Sequence, residues 1–198
     1  MQRGMWPNMP ILGVVASSIS NWLLDNSYIA LKDVQVTSTT ASVEITNIPT
    51  SGYRHLEVRG VWVGTHTGTS GLKFELNGDT GANYFNHYLY GQGTDLTAGN
   101  YNASLQNNAW AAYFGTTSDG SYDATAFVLK IPDYVSTTKK RSWQSIEGRA
   151  NTSSPGNHSE YNHGVYITTG SAITSIKFTT SNGNIGANSR FSVYGIKG

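Results

Sequence analysis

The sequence predicts an all-β fold, an antiparallel β-sandwich of jelly-roll type with a short N-terminal arm, and three observations point to it. Charged residues make up 13% of the 198, about half the usual share of a soluble chain. The Lys-, Glu- and Ala-rich surfaces that helices need are therefore missing. Apolar residues alternate with polar ones in short runs, the period of a half-buried strand. Turn dipeptides built on Gly, Asn and Asp punctuate those runs. A closed barrel is the alternative arrangement. No fixed repeat recurs along the chain, which argues against a propeller or β-helix.

The arm comes first. Met9–Ser20 is apolar, ends in small residues and resembles the hydrophobic region of a signal peptide with an Ala-x-Ser site. Only Arg3 precedes it as a positive charge, however, and Pro7 and Pro10 bracket its start. Ile11–Leu24 is too short, and too broken by Ser and Asn, to span a bilayer. Residues 1–27 are accordingly read as an apolar arm for assembly, with Ile11, Leu12, Val14, Val15, Ile19, Trp22, Leu23 and Leu24 as its contacts. The competing reading packs the arm on its own body as a first strand. Met9 is an alternative start.

Residues 28–198 read as one sandwich. Val43 and Ile45 alternate with polar neighbours until Pro49–Gly52 ends the run. Over Tyr53–His66, Leu56, Val58, Gly60 and Trp62 share one face, while His55, Glu57 and Arg59 share the other. Leu72, Phe74 and Leu76 follow, then Asn77-Gly78-Asp79 turns the chain. Further extended runs are expected at Asn83–Tyr90, Leu105–Phe114, Tyr122–Ile131, Arg141–Arg149, Tyr161–Thr168, Ile173–Thr180 and Arg190–Ile196. Asn77-Gly78, Asp119-Gly120 and Asn182-Gly183 supply the positive φ of tight hairpins. Pro132-Asp133 stops the strand before it. Gly91–Asn102 and Ala150–His158 are expected to be long surface loops, the usual seat of binding.

Chemistry is sparse. The absence of cysteine removes disulfides and thiolate ligands. A net charge of +1 leaves no footprint for nucleic acid or an acidic membrane surface. There is no Gly-x-Ser-x-Gly elbow and no phosphate-cradling loop. Asn77–Gly81 lacks the alternating oxygens and terminal Glu of a calcium loop. Paired carboxylates of glycosidase type are open in principle, but the acidic residues are scattered and Asp79 and Asp119 serve turns. His158–His163 is the one His/carboxylate cluster, with His158, Glu160 and Asn162 on one face and His163 on the other. It is read as a polar loop entering a strand, because a metal site needs three or four convergent ligands. No enzyme, metal or cofactor is expected. Tyr84, Phe85, Tyr88, Tyr90, Tyr101, Trp110, Tyr113 and Phe114 crowd the middle of the chain, as sandwich core or as a sugar-stacking surface.

Several segments together resemble a family of small virion proteins of tailed bacteriophages. Met9–Ser18 looks like the family's opening phrase. Ile45–Arg59, with Ile48-Pro49, Tyr53 and His55-Leu56, is similar to its first strand pair. Leu76–Tyr84 resembles its Asn-Gly-Asp-Thr-Gly turn, and Ala172–Ile176 with Phe191–Gly198 resembles its closing strands. These landmarks run in order along nearly the whole chain, whereas residues 91–125 carry none of the resemblance. It implies a structural protein of the virion, a tail-fibre or minor tail component or a head decoration protein, assembled in the host cytoplasm. Its partners would be tail, baseplate or major capsid proteins and copies of itself, a trimer being favoured. It implies no catalytic residues. The alternative is a module that binds carbohydrate or a host receptor, with a surface glycan as ligand.

Overall fold

The computed structural model describes residues 27–66, 68, 70–101, 104–113, 124–149 and 158–198. The arm contacts Ile11, Leu12, Val14, Val15, Ile19, Trp22, Leu23 and Leu24 lie outside the described residues, as do Phe114 and the Asp119-Gly120 turn. Twelve strands are described: β1 (Tyr28–Gln35), β2 (Ser42–Ile45), β3 (His55–Val63), β4 (Gly71–Leu76), β5 (Tyr84–Gln92), β6 (Asp95–Asn100), β7 (Ala109–Tyr113), β8 (Ala124–Ile131), β9 (Arg141–Arg149), β10 (His158–Tyr166), β11 (Ile176–Thr180) and β12 (Arg190–Ile196).

They form two antiparallel sheets in a sandwich-like arrangement. One sheet has eight strands in the order β1-β12-β3-β8-β9-β10-β5-β6, the other four in the order β2-β11-β4-β7. Neither closes into a barrel. The expected alternation is what builds the interior. Leu56, Val58 and Trp62 of β3, Phe127, Leu129 and Ile131 of β8, Trp143 of β9 and Phe191 and Val193 of β12 are buried. So are Val43, Ile45, Leu72, Phe74, Leu76, Ile176 and Phe178 of the smaller sheet. Rings cross the gap: Phe74 meets Trp143 edge-on at 5.3 Å and Phe178 meets Phe191 at 4.8 Å. Such pairs add to the area they bury.

Asn77 and Gly78 take φ of +54° and +67° in a tight turn closed by Asp79 N–H donating to Leu76 O at 3.0 Å. It is not the expected hairpin, because β4 and β5 on either side of it belong to different sheets, as do β11 and β12 on either side of Asn182-Gly183. Asn77 then binds the opposite connection, its Nδ2 donating to Ala172 O at 2.8 Å and its Oδ1 accepting from Thr174 N–H at 2.7 Å. Glu57 is on the outer face of β3 as expected, yet it is buried beneath Arg59 and Lys130, which pair with it at 2.7 and 3.9 Å.

One loop expectation is corrected too. The described part of Gly91–Asn102, residues 91–101, is no long loop: β5 runs on to Gln92, Gly93 turns the chain at φ +59°, and β6 returns in register with Gln92 opposite Asp95. Backbone pairing with β5 organises a segment whose Gly, Thr and Asn have little strand preference of their own. Of the second expected loop, residues 150–157 lie outside the described residues, and His158 already belongs to β10.

Candidate functional site

β9, β10, β5 and β6 carry the large sheet beyond β8, and β7 lies across this extension as the edge strand of the smaller sheet. Small side chains let it approach: Ala109, Ala111 and Ala112 are fully buried. Asn86 of β5 clamps it, donating from Nδ2 to Asn108 O at 3.1 Å and accepting from Trp110 N–H at 3.0 Å. Ser145 Oγ donates to Ala111 O at 2.5 Å.

Beneath β7 the inner face is polar. Strand register aligns Tyr90, Glu160 and Glu147 in one row across β5, β10 and β9, and Tyr88, Asn162 and Ser145 in the next. His158 stands two residues from Glu160 on the same face, opposite Arg149. Its Nε2 lies 3.1 Å from Glu160 Oε2 and 3.2 Å from Glu147 Oε1, and none of the three side chains is more than 1% exposed. The outer oxygens are held as well. Tyr101 donates its hydroxyl to Glu160 Oε1, and Tyr113 N–H donates to Glu147 Oε2 at 2.9 Å. This is the one group of three His, Asp or Glu side chains among the described residues that could hold a metal ion.

Electrostatics follow from burial and closeness. Desolvation pushes the Glu147 carboxyl up to about 7, with His158 opposing and Glu160 adding to the rise. Burial pulls the His158 imidazole down, but the two carboxylates set against it, Glu147 and Glu160, outweigh burial and hold it at about 9. Burial, then the Glu160 charge, raises the hydroxyls of Tyr101 and Tyr113.

An aromatic cleft of about 170 Å³ adjoins the cluster, lined by Tyr88, Tyr90, Asn100, Tyr101, Tyr113 and Glu160. Tyr101 stacks on Trp110 at 4.4 Å and touches Tyr88 at 4.8 Å, and Tyr90 stacks on His158 at 5.3 Å. The aromatics singled out in the sequence thus divide. Tyr84 is core and stacks on Tyr166, Phe85 lies on the outer face, and Tyr88, Tyr90, Tyr101, Trp110 and Tyr113 gather at the cleft. His163 does point away from His158, stacking on His87 at 5.4 Å beside a shallow outer groove of about 430 Å³.

Glu147 is the residue the sequence reading missed. The signal was there: Trp143, Ser145 and Glu147 keep one phase of β9, so a carboxylate occupies a core position. No family model matches the chain, and no curated protein or solved structure matches it.

Proposed function

We propose that the chain is a bacteriophage virion structural protein, a non-catalytic body displayed on the particle and attached through its N-terminal arm. It serves the tail or baseplate as a fibre-type component, or the capsid as a decoration (cement) protein, as a homo-oligomer, with a trimer favoured. The observation that carries this reading is that the residues of the phage resemblance are framework residues. Ile45, Leu56 and Val58 are core, Asn77 and Asp79 tie connections together, and Phe191 and Val193 are core residues of β12, between β1 and β3 in the large sheet.

A jelly roll is supported by the strand order. Setting aside the β5–β6 and β9–β10 hairpins leaves β1-β12-β3-β8 facing β2-β11-β4-β7. Each remaining step along the chain then crosses between sheets, except β4 to β7, which are neighbours. That is the wrapped order of an eight-stranded double-sheet jelly roll. The two hairpins are then additions to the framework, and they supply all of the buried cluster and most of the cleft. A plain sandwich framework carrying a local surface of its own suits a displayed building block.

Gradient-purified particles of the encoding phage or prophage decide the matter. The chain is expected among the virion proteins by mass spectrometry, and immunogold labelling should place it on tail or capsid. Deleting residues 1–24 should abolish incorporation while the circular dichroism of the body stays unchanged. A chain found only in the lysate and never on particles would refute the reading.

A second reading, recognition of a host-surface carbohydrate, rests on the cleft itself. Tyr88, Tyr90, Tyr101 and Tyr113 offer ring faces, and Asn100 and Glu160 offer polar partners, the combination that sugar binding uses. A glycan array should show saturable binding that Tyr90→Ala and Tyr101→Ala abolish; a blank array removes this reading.

A further inference from the structure

We propose that Glu147, His158 and Glu160 form a binding site for one divalent transition-metal ion, with zinc as its reference occupant. The inference does not depend on whether the chain is a virion protein. It begins from hydrogen-bond arithmetic. The Nε2 atom of His158 carries at most one hydrogen, yet two carboxylate oxygens stand 3.1 and 3.2 Å from it. One N–H serves one acceptor well. Glu147 Oε1 is the oxygen left over: it is buried and has no hydrogen-bond partner among the described residues. A buried carboxylate oxygen without a donor is costly. A cation among the three atoms would satisfy all of them at once.

The spacing agrees with that occupant. Ligand atoms about 2.0–2.2 Å from a zinc ion, at angles between octahedral and tetrahedral, lie roughly 3.0–3.5 Å from each other. Both His–Glu separations fall in that range; the ligand atoms all lie within 4.8 Å of one another, so the two carboxylate oxygens are the pair that an ion would draw together. Binding would displace the proton that the two carboxylates hold on His158, and the two carboxylates with the neutral imidazole then make a borderline-hard donor set of charge −2, which a divalent ion neutralises in a buried place. Outer contacts complete the case. Each carboxylate turns one oxygen toward His158 and has the other fixed, Glu160 by the Tyr101 hydroxyl and Glu147 by the Tyr113 N–H. Ligands oriented by such contacts are the pattern of a working metal site. At the next inward position of β10, both amide atoms of Asn162 are buried without a partner among the described residues. A further polar occupant of this face would answer that need as well.

The full chain, stripped with a chelator and dialysed, is titrated with zinc chloride and, separately, with cobalt chloride. One zinc per chain should be retained, the thermal midpoint should rise on loading, and cobalt should give visible ligand-field bands. The imidazole resonances of His158 should broaden with cobalt while those of His87 and His163 stay sharp. Glu147→Gln and Glu160→Gln keep shape and should weaken zinc binding by about tenfold or more; Tyr101→Phe, which releases only an outer contact, should weaken it by about tenfold. If a variant fails to fold, the imidazole broadening in the unaltered chain carries the decision. No retained zinc and no midpoint shift would overturn the proposal, leaving a His–carboxylate network that shares protons. Broadening confined to His87 and His163, or unchanged affinity in a folded Glu147→Gln chain, would overturn it too.

Discussion

Asp79 shows how much one carboxylate organises. It accepts from Gly81 N–H at 2.8 Å, Asn83 Nδ2 at 2.9 Å, the Tyr166 hydroxyl at 2.8 Å and the Thr168 hydroxyl at 3.0 Å. Partial burial raises its carboxyl, and these four donors together outweigh burial and hold it below the usual range. A depressed carboxyl stabilises the fold above its unfolded value of about 3.9, and that stability disappears as pH falls through the lower folded value. Asp79→Asn is expected to cost about 2 kcal/mol at neutral pH, read from the urea midpoint. The loss of stability below about pH 4 should be shallower in the variant than in the parent chain. The role of Asp79 as a turn residue was legible in Asn77-Gly78-Asp79. Its grip on Tyr166 and Thr168 was not, because those residues lie nearly ninety positions away. Glu147 is the parallel case at the cluster: its phase on β9 could be read, but its neighbours on β10 come from register.

At the scale of elements, the β5–β10 pair carries the cleft, and Gly164 lets the two strands and Trp143 pack together. A Cβ at that position would stand 1.8 Å from the Phe85 carbonyl oxygen and 2.6 Å from Trp143 Cζ2. Since the first obstacle is backbone, it cannot rotate aside. Gly164→Ala should therefore destabilise the protein by about 3 kcal/mol. Hydrogen exchange at the amides of β5 and β6 should accelerate more than at β1 or β12. The same elements mark the limit of local reasoning. The alternating runs of β3, β4, β8 and β12 could be recognised without a partner. β6 could not, because Asp95–Asn100 has weak strand preference and is organised by pairing with β5.

For the whole molecule, stability rests on aromatic contact between the sheets. Phe178 of β11 is fully buried and meets Phe74, Phe127 and Phe191 at ring separations of 6.4, 6.1 and 4.8 Å. Phe178→Ala should cost about 3–5 kcal/mol. The denaturation midpoint should fall with little change in slope, since the surface exposed on unfolding is nearly the same.

The sequence by itself determined the all-β class, most of the strands, the tight turns and, in runs such as β3 and β4, which face turns inward. These are local consequences of a two-residue period and of turn chemistry. Only the tertiary structure decided which strands are neighbours: β1 beside β12, β10 between β9 and β5, and β7 laid across the extension. Alternation states the face of a residue and is silent about what stands opposite. For that reason the buried meeting of Glu147, His158 and Glu160 under an aromatic cleft emerges only when register is known.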